Sequence, residues 1–199
     1  MGRLKISVTV TCNAALVLCD NILYLDITTY LLVDPHSSKH VVCEGTTALI
    51  ALLEGTRLVV ANVGDSRGVM CDGRGNAIPL SFDHKPQQMR ERKRIKEAGG
   101  FITFNGVWRV AGILATSRAL GDYPLKDKKL VIADPDILTF DLDDHKPQFL
   151  VLASDGLWDT FSNEEAVMPP INKMIKKQTV DEKKLDGYLV KRLATIKPY

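Results

Sequence analysis

The feature that most restricts the fold is the way residues 46–153 are cut into short apolar runs by turn-forming residues. Runs at 46–53 and 58–63 flank Glu54-Gly55-Thr56, a connection too short for the crossover that parallel strands need. They read as neighbouring antiparallel strands. Runs at 69–71 and 77–80 flank Asp72-Gly73-Arg74-Gly75. Runs at 101–104 and 107–110 flank Asn105-Gly106, a pair suited to the positive φ angles of a type I′ turn. Residues 137–140 and 149–153 add two more strands. Helical signals are fewer. Pro86 opens a charged stretch that runs to Ala98 and stops at Gly99-Gly100. Asn163, Glu164 and Glu165 read as an N-cap and first turn. Strands joined by hairpins and outnumbering helices predict an α+β fold, an antiparallel β-sandwich flanked by helices.

Composition agrees with one globular domain, since 45% of the 199 residues are apolar and 25% are charged. The net charge of +2 gives no global case for nucleic acid as a partner. Its distribution is uneven. Residues 133–165 hold nine acids and one lysine, whereas 169–199 hold eight bases and three acids. Cation chemistry therefore belongs in the first of these stretches. Cys12, Cys19, Cys43 and Cys71 have no Cys-x-x-Cys spacing and read as reduced, buried thiols. Arg3 and Lys5 precede an apolar run at 6–19, but Asn13, Asp20, Asn21 and Asp26 interrupt it before it reaches the length of a membrane span. The run has no clear small-residue cleavage site, so a cytoplasmic chain is the expectation and a secretory leader the alternative.

Candidate chemistry collects where strands end in aspartate. Asp65 follows the run at 58–63, Asp155 follows 149–153, and Asp159 lies four residues further on. A helical turn beginning at Leu157 would bring Asp155 and Asp159 to one side. Carboxylates gathered at sheet ends suit a hard cation such as Mg²⁺ or Mn²⁺. Taken singly, each of these aspartates also reads as a turn or cap residue.

Five strings stand in order: Gly45-Thr46-Thr47-Ala48; Val60-Ala61-Asn62-Val63-Gly64-Asp65-Ser66-Arg67; Asp83-His84-Lys85-Pro86; Ser117-Arg118-Ala119-Leu120-Gly121-Asp122; and Leu152-Ala153-Ser154-Asp155-Gly156-Leu157-Trp158-Asp159. In order and spacing they resemble the metal-dependent type 2C protein serine/threonine phosphatases, over residues 45–167. The resemblance implies a two-sheet sandwich with a two-metal Mg²⁺ or Mn²⁺ site at one end. It also implies attack by metal-activated water on phosphoserine or phosphothreonine proteins, signalling kinases among them. Asp155 matches a ligand of the metal pair, and Asp65 and Asp159 match ligands of an additional, weaker metal. Arg118 and the hairpin carrying Asn105 and Trp108 match the flap region held to set substrate preference.

The sequence also departs from the family. Its early arginine, Glu-Asp pair and Asp-Gly-His-Gly motif should precede Gly45, and residues 1–44 match none of them. The closing Asp-Asn motif is missing as well. The expected organisation is a divergent segment at 1–44, a partial phosphatase domain at 45–167 and a lysine-rich tail at 168–199, as though intact middle exons lay between unrelated ends. Impaired catalysis is therefore expected, the alternative being a noncatalytic binding or competing module. The incomplete sandwich is expected to leave strand edges uncovered and to be marginally stable.

The remaining features weigh less. His36 and His40 read as turn residues rather than zinc ligands, and the bases between Lys85 and Lys96 as a solvated helix face. The lysine-rich tail reads as disordered or loosely helical, and Trp108 and Trp158 as packing residues.

Overall fold

The structure is a computed structural model that describes residues 5–11, 45–168 and 188–192, with side chains over 45–168. Cys12, Cys19, Cys43, the His36–His40 pair and most of both terminal segments lie outside the described residues.

Gly55, at φ 57°, reverses the chain between β2 (Gly45–Glu54) and β3 (Arg57–Val63), which pair antiparallel from Glu54↔Arg57 to Ala48↔Val63. β1 (Lys5–Thr11) pairs with the other edge of β2, and β9 (Asp136–Asp141) pairs with β3. The short β8 (Leu120–Gly121) pairs with the start of β2. The second sheet runs in the order β11 (Tyr188–Arg192), β10 (Phe149–Ala153), β4 (Arg67–Cys71), β5 (Ala77–Pro79). Strands from the two terminal segments thus lie along β2 and β10, pairing two edges of an arrangement expected to leave strand edges uncovered. The segment read as a disordered or helical tail supplies β11.

The sheets meet through one face each. Leu49, Ala51, Leu58 and Val60 of the first pack with Met70, Leu150 and Leu152 of the second, and Leu80 and Leu142 fill the margins. Every residue of β10 is buried because its other face is covered too. Val69, Cys71, Phe149, Val151 and Ala153 lie beneath Trp158 of α4 (Asp155–Trp158) and Ala166 and Val167 of α5 (Asn163–Val167). Burial on both faces explains why this strand reads as an unbroken apolar run. Cys71 is a free buried thiol, and burial, then the charge of Asp72, push its pKa up.

A third cluster stands apart from the sandwich. Ile95 of α1 (Met89–Glu97) packs with Val110, Ala119, Leu125, Leu130 and Val131, and Ile102 joins them. This anchors the hairpin of β6 (Ile102–Asn105) and β7 (Val107–Val110). Two short helices, α2 (Tyr123–Lys126) and α3 (Leu142–His145), complete the described chain.

Three local readings are corrected. Pro86 lies in a turn closed by Gln88 N–H to Lys85 O, and α1 begins at Met89. Its end is as expected: Gly99 N–H bonds Lys96 O and Gly100 N–H bonds Ile95 O, with Gly99 at φ 78°, a Schellman closure. The Asn105-Gly106 turn is not type I′, because only Gly106 takes a positive φ, 72°, and Asn105 still pairs with Val107. Ser162, not Asn163, caps α5. Its hydroxyl accepts from Glu165 N–H while the Glu165 carboxylate accepts from Ser162 N–H. Asn163 is thereby released for a partner elsewhere.

Candidate functional site

Strand register brings the aspartates together. Ala153 of β10 pairs with Arg67 of β4, so Asp65, two residues before Arg67, and Asp155, two after Ala153, leave the same end of the second sheet. Gly64 makes the first turn. Its φ is +111°, and a Cβ on it would stand 2.2 Å from Thr47 Cγ2, so glycine is required for the turn to approach β2. Ser154, in extended conformation, precedes α4, which starts at Asp155 rather than Leu157, and Asp159 closes it.

Asp155 senses the other two carboxylates. The Asp155 carboxyl is pushed up by burial first, then by the negative charges of Asp65 and Asp159, with Lys85 pulling the other way. Lys85 Nζ bonds Asp65 Oδ2 at 2.5 Å. Burial alone would lower the Lys85 pKa, but the Asp65 bond and the charges of Asp65, Asp83 and Asp159 outweigh it and raise it.

Beside this cluster Arg67 bridges three elements. Its Nε and Nη2 donate to the two Asp83 oxygens at 2.8 Å each, and Nη1 donates to Asn163 Oδ1 at 2.8 Å. The Asp83 hydrogen bond is the main reason its pKa is raised. Arg67, Asp83, Lys85, Asp159, Asn163 and the exposed ring of Phe82 line an open cavity of about 400 Å³.

Arg118 is elsewhere. Its side chain is 3% exposed and donates to Glu91 Oε1 through Nε at 3.1 Å and Nη2 at 2.6 Å. Nη1 donates to Asp136 Oδ1 at 3.0 Å and Asp134 O at 2.8 Å. Arg90 also grips Asp136, and Arg94 also grips Glu91. Burial would raise the Glu91 pKa, but hydrogen bonds from Arg118, Ser117 and Arg94 bring it down to about 2. Arg118 thus fastens α1 to β9 and is not open to solvent. On the hairpin Asn105 is exposed at the tip, and the Trp108 ring stands 5.3 Å from that of Phe104. Sequence reasoning missed roles for Arg67, Asp83, Lys85 and Asn163. The Asp83-His84-Lys85-Pro86 string was the available signal, but nothing local says that Lys85 reaches Asp65.

Asp65, Asp155 and Asp159 each offer the carboxylate oxygens that a hard divalent cation takes. They are not gathered into a site for even one such ion: among the described residues no group of three or more His, Cys, Asp or Glu could hold a metal ion, and Lys85 stands on Asp65. No helix among them is long and apolar enough to cross a membrane.

Compared with known families, residues 20–190 match the protein phosphatase 2C family. The chain belongs to that family. This protein phosphatase 2C chain is 75% identical over 123 residues to protein phosphatase 1L of Bos taurus, which covers 62% of the chain and 34% of the relative. It is 53% identical over 155 residues to probable protein phosphatase 2C 71 of Arabidopsis thaliana, covering 78% of the chain and 33% of the relative. The chain spans about a third of the length of these curated relatives. Among solved structures, a serine-threonine phosphatase 2C from Toxoplasma gondii superposes with TM-score 0.57 at 24% identity, covering 73% of this chain and 57% of that one. The shared architecture is the α+β antiparallel arrangement expected from the sequence.

Proposed function

We propose that this chain is a metal-dependent protein serine/threonine phosphatase module, with Asp155, Asp65 and Asp159 as its candidate ligands for Mg²⁺ or Mn²⁺. The observation that supports the reading is that Asp65 and Asp155 leave the same end of the second sheet, with Asp159 closing the helix that Asp155 opens. A divalent cation held by such ligands would supply Lewis acidity at phosphorus and activate a water. The chain's own residues do the rest. Lys85 holds the Asp65 carboxylate and would have to yield it to a cation, and Arg67 fixes Asp83 and Asn163 in the cavity wall. The hairpin with Asn105 and Trp108 is the surface offered to phosphoserine or phosphothreonine proteins, signalling kinases among them, in the cytoplasm.

A second reading, a noncatalytic module that binds phosphoproteins or competes with a longer relative, is favoured by one contact. Lys85 already neutralises Asp65, as a bound cation otherwise would. Mn²⁺-dependent hydrolysis of a phosphothreonine peptide by the purified chain, with Asp155→Ala alongside, separates the two. Turnover lost in the variant supports the enzyme; a folded chain without turnover supports the binding module.

A further inference from the structure

Phe82 presents its ring to solvent from a segment that is fastened on both sides of it. Leu80, Ser81, Asp83 and His84 are each 9% exposed or less, whereas Phe82 is 58% exposed. Leu80 N–H donates to Gly68 O at 2.8 Å, and Ser81 Oγ accepts from Gly68 N–H at 3.0 Å. Phe82 O accepts from the buried Asn62 amide at 3.1 Å, and Arg67 holds the Asp83 carboxylate. His84 N–H donates to Gly64 O at 2.9 Å. The ring therefore stands on a backbone held at five successive residues, which leaves little chain freedom to lose when something binds against it.

Phe82 and Asp159 line the same open cavity. Asp159 is also carried by a fastened element. It follows Trp158, whose indole N–H bonds Arg67 O and Ala153 O, and its own N–H donates to Asp155 O at 2.7 Å. Its side chain is exposed, and among the described residues no donor meets its carboxylate. The two cations in the cavity wall are already matched. Arg67 uses Nε, Nη1 and Nη2 on Asp83 and Asn163, and Lys85 Nζ is bonded to Asp65. The charge without a bonded partner in the wall is that of Asp159, and it is negative.

A carboxylate and a fixed aromatic face in one cavity suit a flat cation on an apolar stem. Guanidinium pairs with the first through a fork of N–H donors and stacks on the second. Pro79 adds apolar surface for the stem, and Gln87 and Gln88 add amides. An anion would meet only cations whose charge is already neutralised.

We infer that the cavity shared by Phe82 and Asp159 is a docking site for an arginine side chain of a protein partner. The site needs no metal and goes beyond the phosphatase reading, since it serves an enzyme and a binding module alike.

The full chain is titrated, with EDTA present and at low ionic strength, with the acetylated and amidated peptide Gly-Ser-Arg-Ser-Gly. Two further peptides carry citrulline, which keeps the shape and loses the charge, or phosphoserine in place of arginine. Binding is followed through the backbone amide signals of the chain by NMR. The arginine peptide is expected to shift the Phe82, Asp159 and Asn163 amides saturably, and the citrulline peptide to bind about tenfold more weakly. Asp159→Asn and Phe82→Leu are each expected to weaken the arginine peptide by about three- to fivefold. Both side chains are exposed, and unchanged signals elsewhere show that the variants keep the fold. Absence of saturable shifts at those amides, equal affinities for arginine and citrulline, or undiminished binding by Asp159→Asn overturns the inference. Tighter binding of the phosphoserine peptide at the same amides gives the cavity to an anion and overturns it as well. With EDTA present throughout, none of these outcomes depends on whether the aspartates hold a metal, so this site and the phosphatase reading stand or fall separately.

Discussion

The indole N–H of Trp158 is shared between Arg67 O and Ala153 O, at 3.0 Å each, and the Arg67 guanidinium lies over the same ring, 5.2 Å from its centroid. One side chain thereby ties α4 to both strands whose ends carry the candidate aspartates. Trp158→Phe keeps most of the packing and removes one shared hydrogen bond from two carbonyls that the Ala153↔Arg67 strand pairing also engages, so it should cost about 0.5–1.5 kcal/mol. Trp158→Ala also empties the space over Val69 and Val151 and should cost about 3–5 kcal/mol. Urea unfolding of the two variants checks this, and equal costs would show that the hydrogen bond rather than the ring volume dominates.

Glu91 gives the fold an acid limit. Its folded pKa of about 2 lies below the ordinary 4.5, so its contribution is fully present above the unfolded value and is lost as pH falls from about 4.5 toward 2. The shift corresponds to roughly 3 kcal/mol. Glu91→Gln leaves Arg118 buried without its counter-charge and should destabilise by about 3–5 kcal/mol at neutral pH. Denaturant midpoints between pH 7 and pH 3 should fall steeply for wild type and less steeply for the variant. Parallel profiles would contradict the assignment.

Lys85→Met removes the cation that holds Asp65 and leaves three carboxylates in mutual repulsion. Mn²⁺ affinity should rise by about tenfold, a conservative figure for one unit charge at short range in a partly buried site. The Asp155 pKa should move further up, because Lys85 was lowering it, so the pH at which Mn²⁺ binding is half lost should also move up. Calorimetric titrations at two pH values test both, and weaker binding at neutral pH would show that Lys85 organises the site rather than competing for it.

Gly64→Ala places a methyl group 2.2 Å from Thr47 Cγ2 in a backbone region that alanine avoids. The cost should be about 2 kcal/mol or more. A paired Thr47→Ser substitution, which removes the opposing methyl, should recover part of it in thermal unfolding; no recovery would place the cost in the backbone alone.

Much of the fold was legible because hairpins are local. Residues 46–53 and 58–63 become β2 and β3, and the turn chemistry between them is a property of a few neighbours. The errors have the same scale. Asn105-Gly106 obeys the register of β6 and β7 rather than its own dipeptide preference, and Asn163 lies one residue inside the helix that Ser162 caps, where its side chain meets Arg67.

Amino-acid order alone determined the α+β antiparallel character, the apolar faces and the candidacy of Asp65, Asp155 and Asp159, since each depends on residue type and short spacing. Tertiary structure decided what those residues meet. Arg118, read from its motif as a flap residue, is buried against Glu91, and Lys85 reaches Asp65 across twenty positions of sequence. Ion pairs between distant segments leave no periodicity for a sequence to show, because register and packing, not neighbours in the chain, bring their partners within 3 Å.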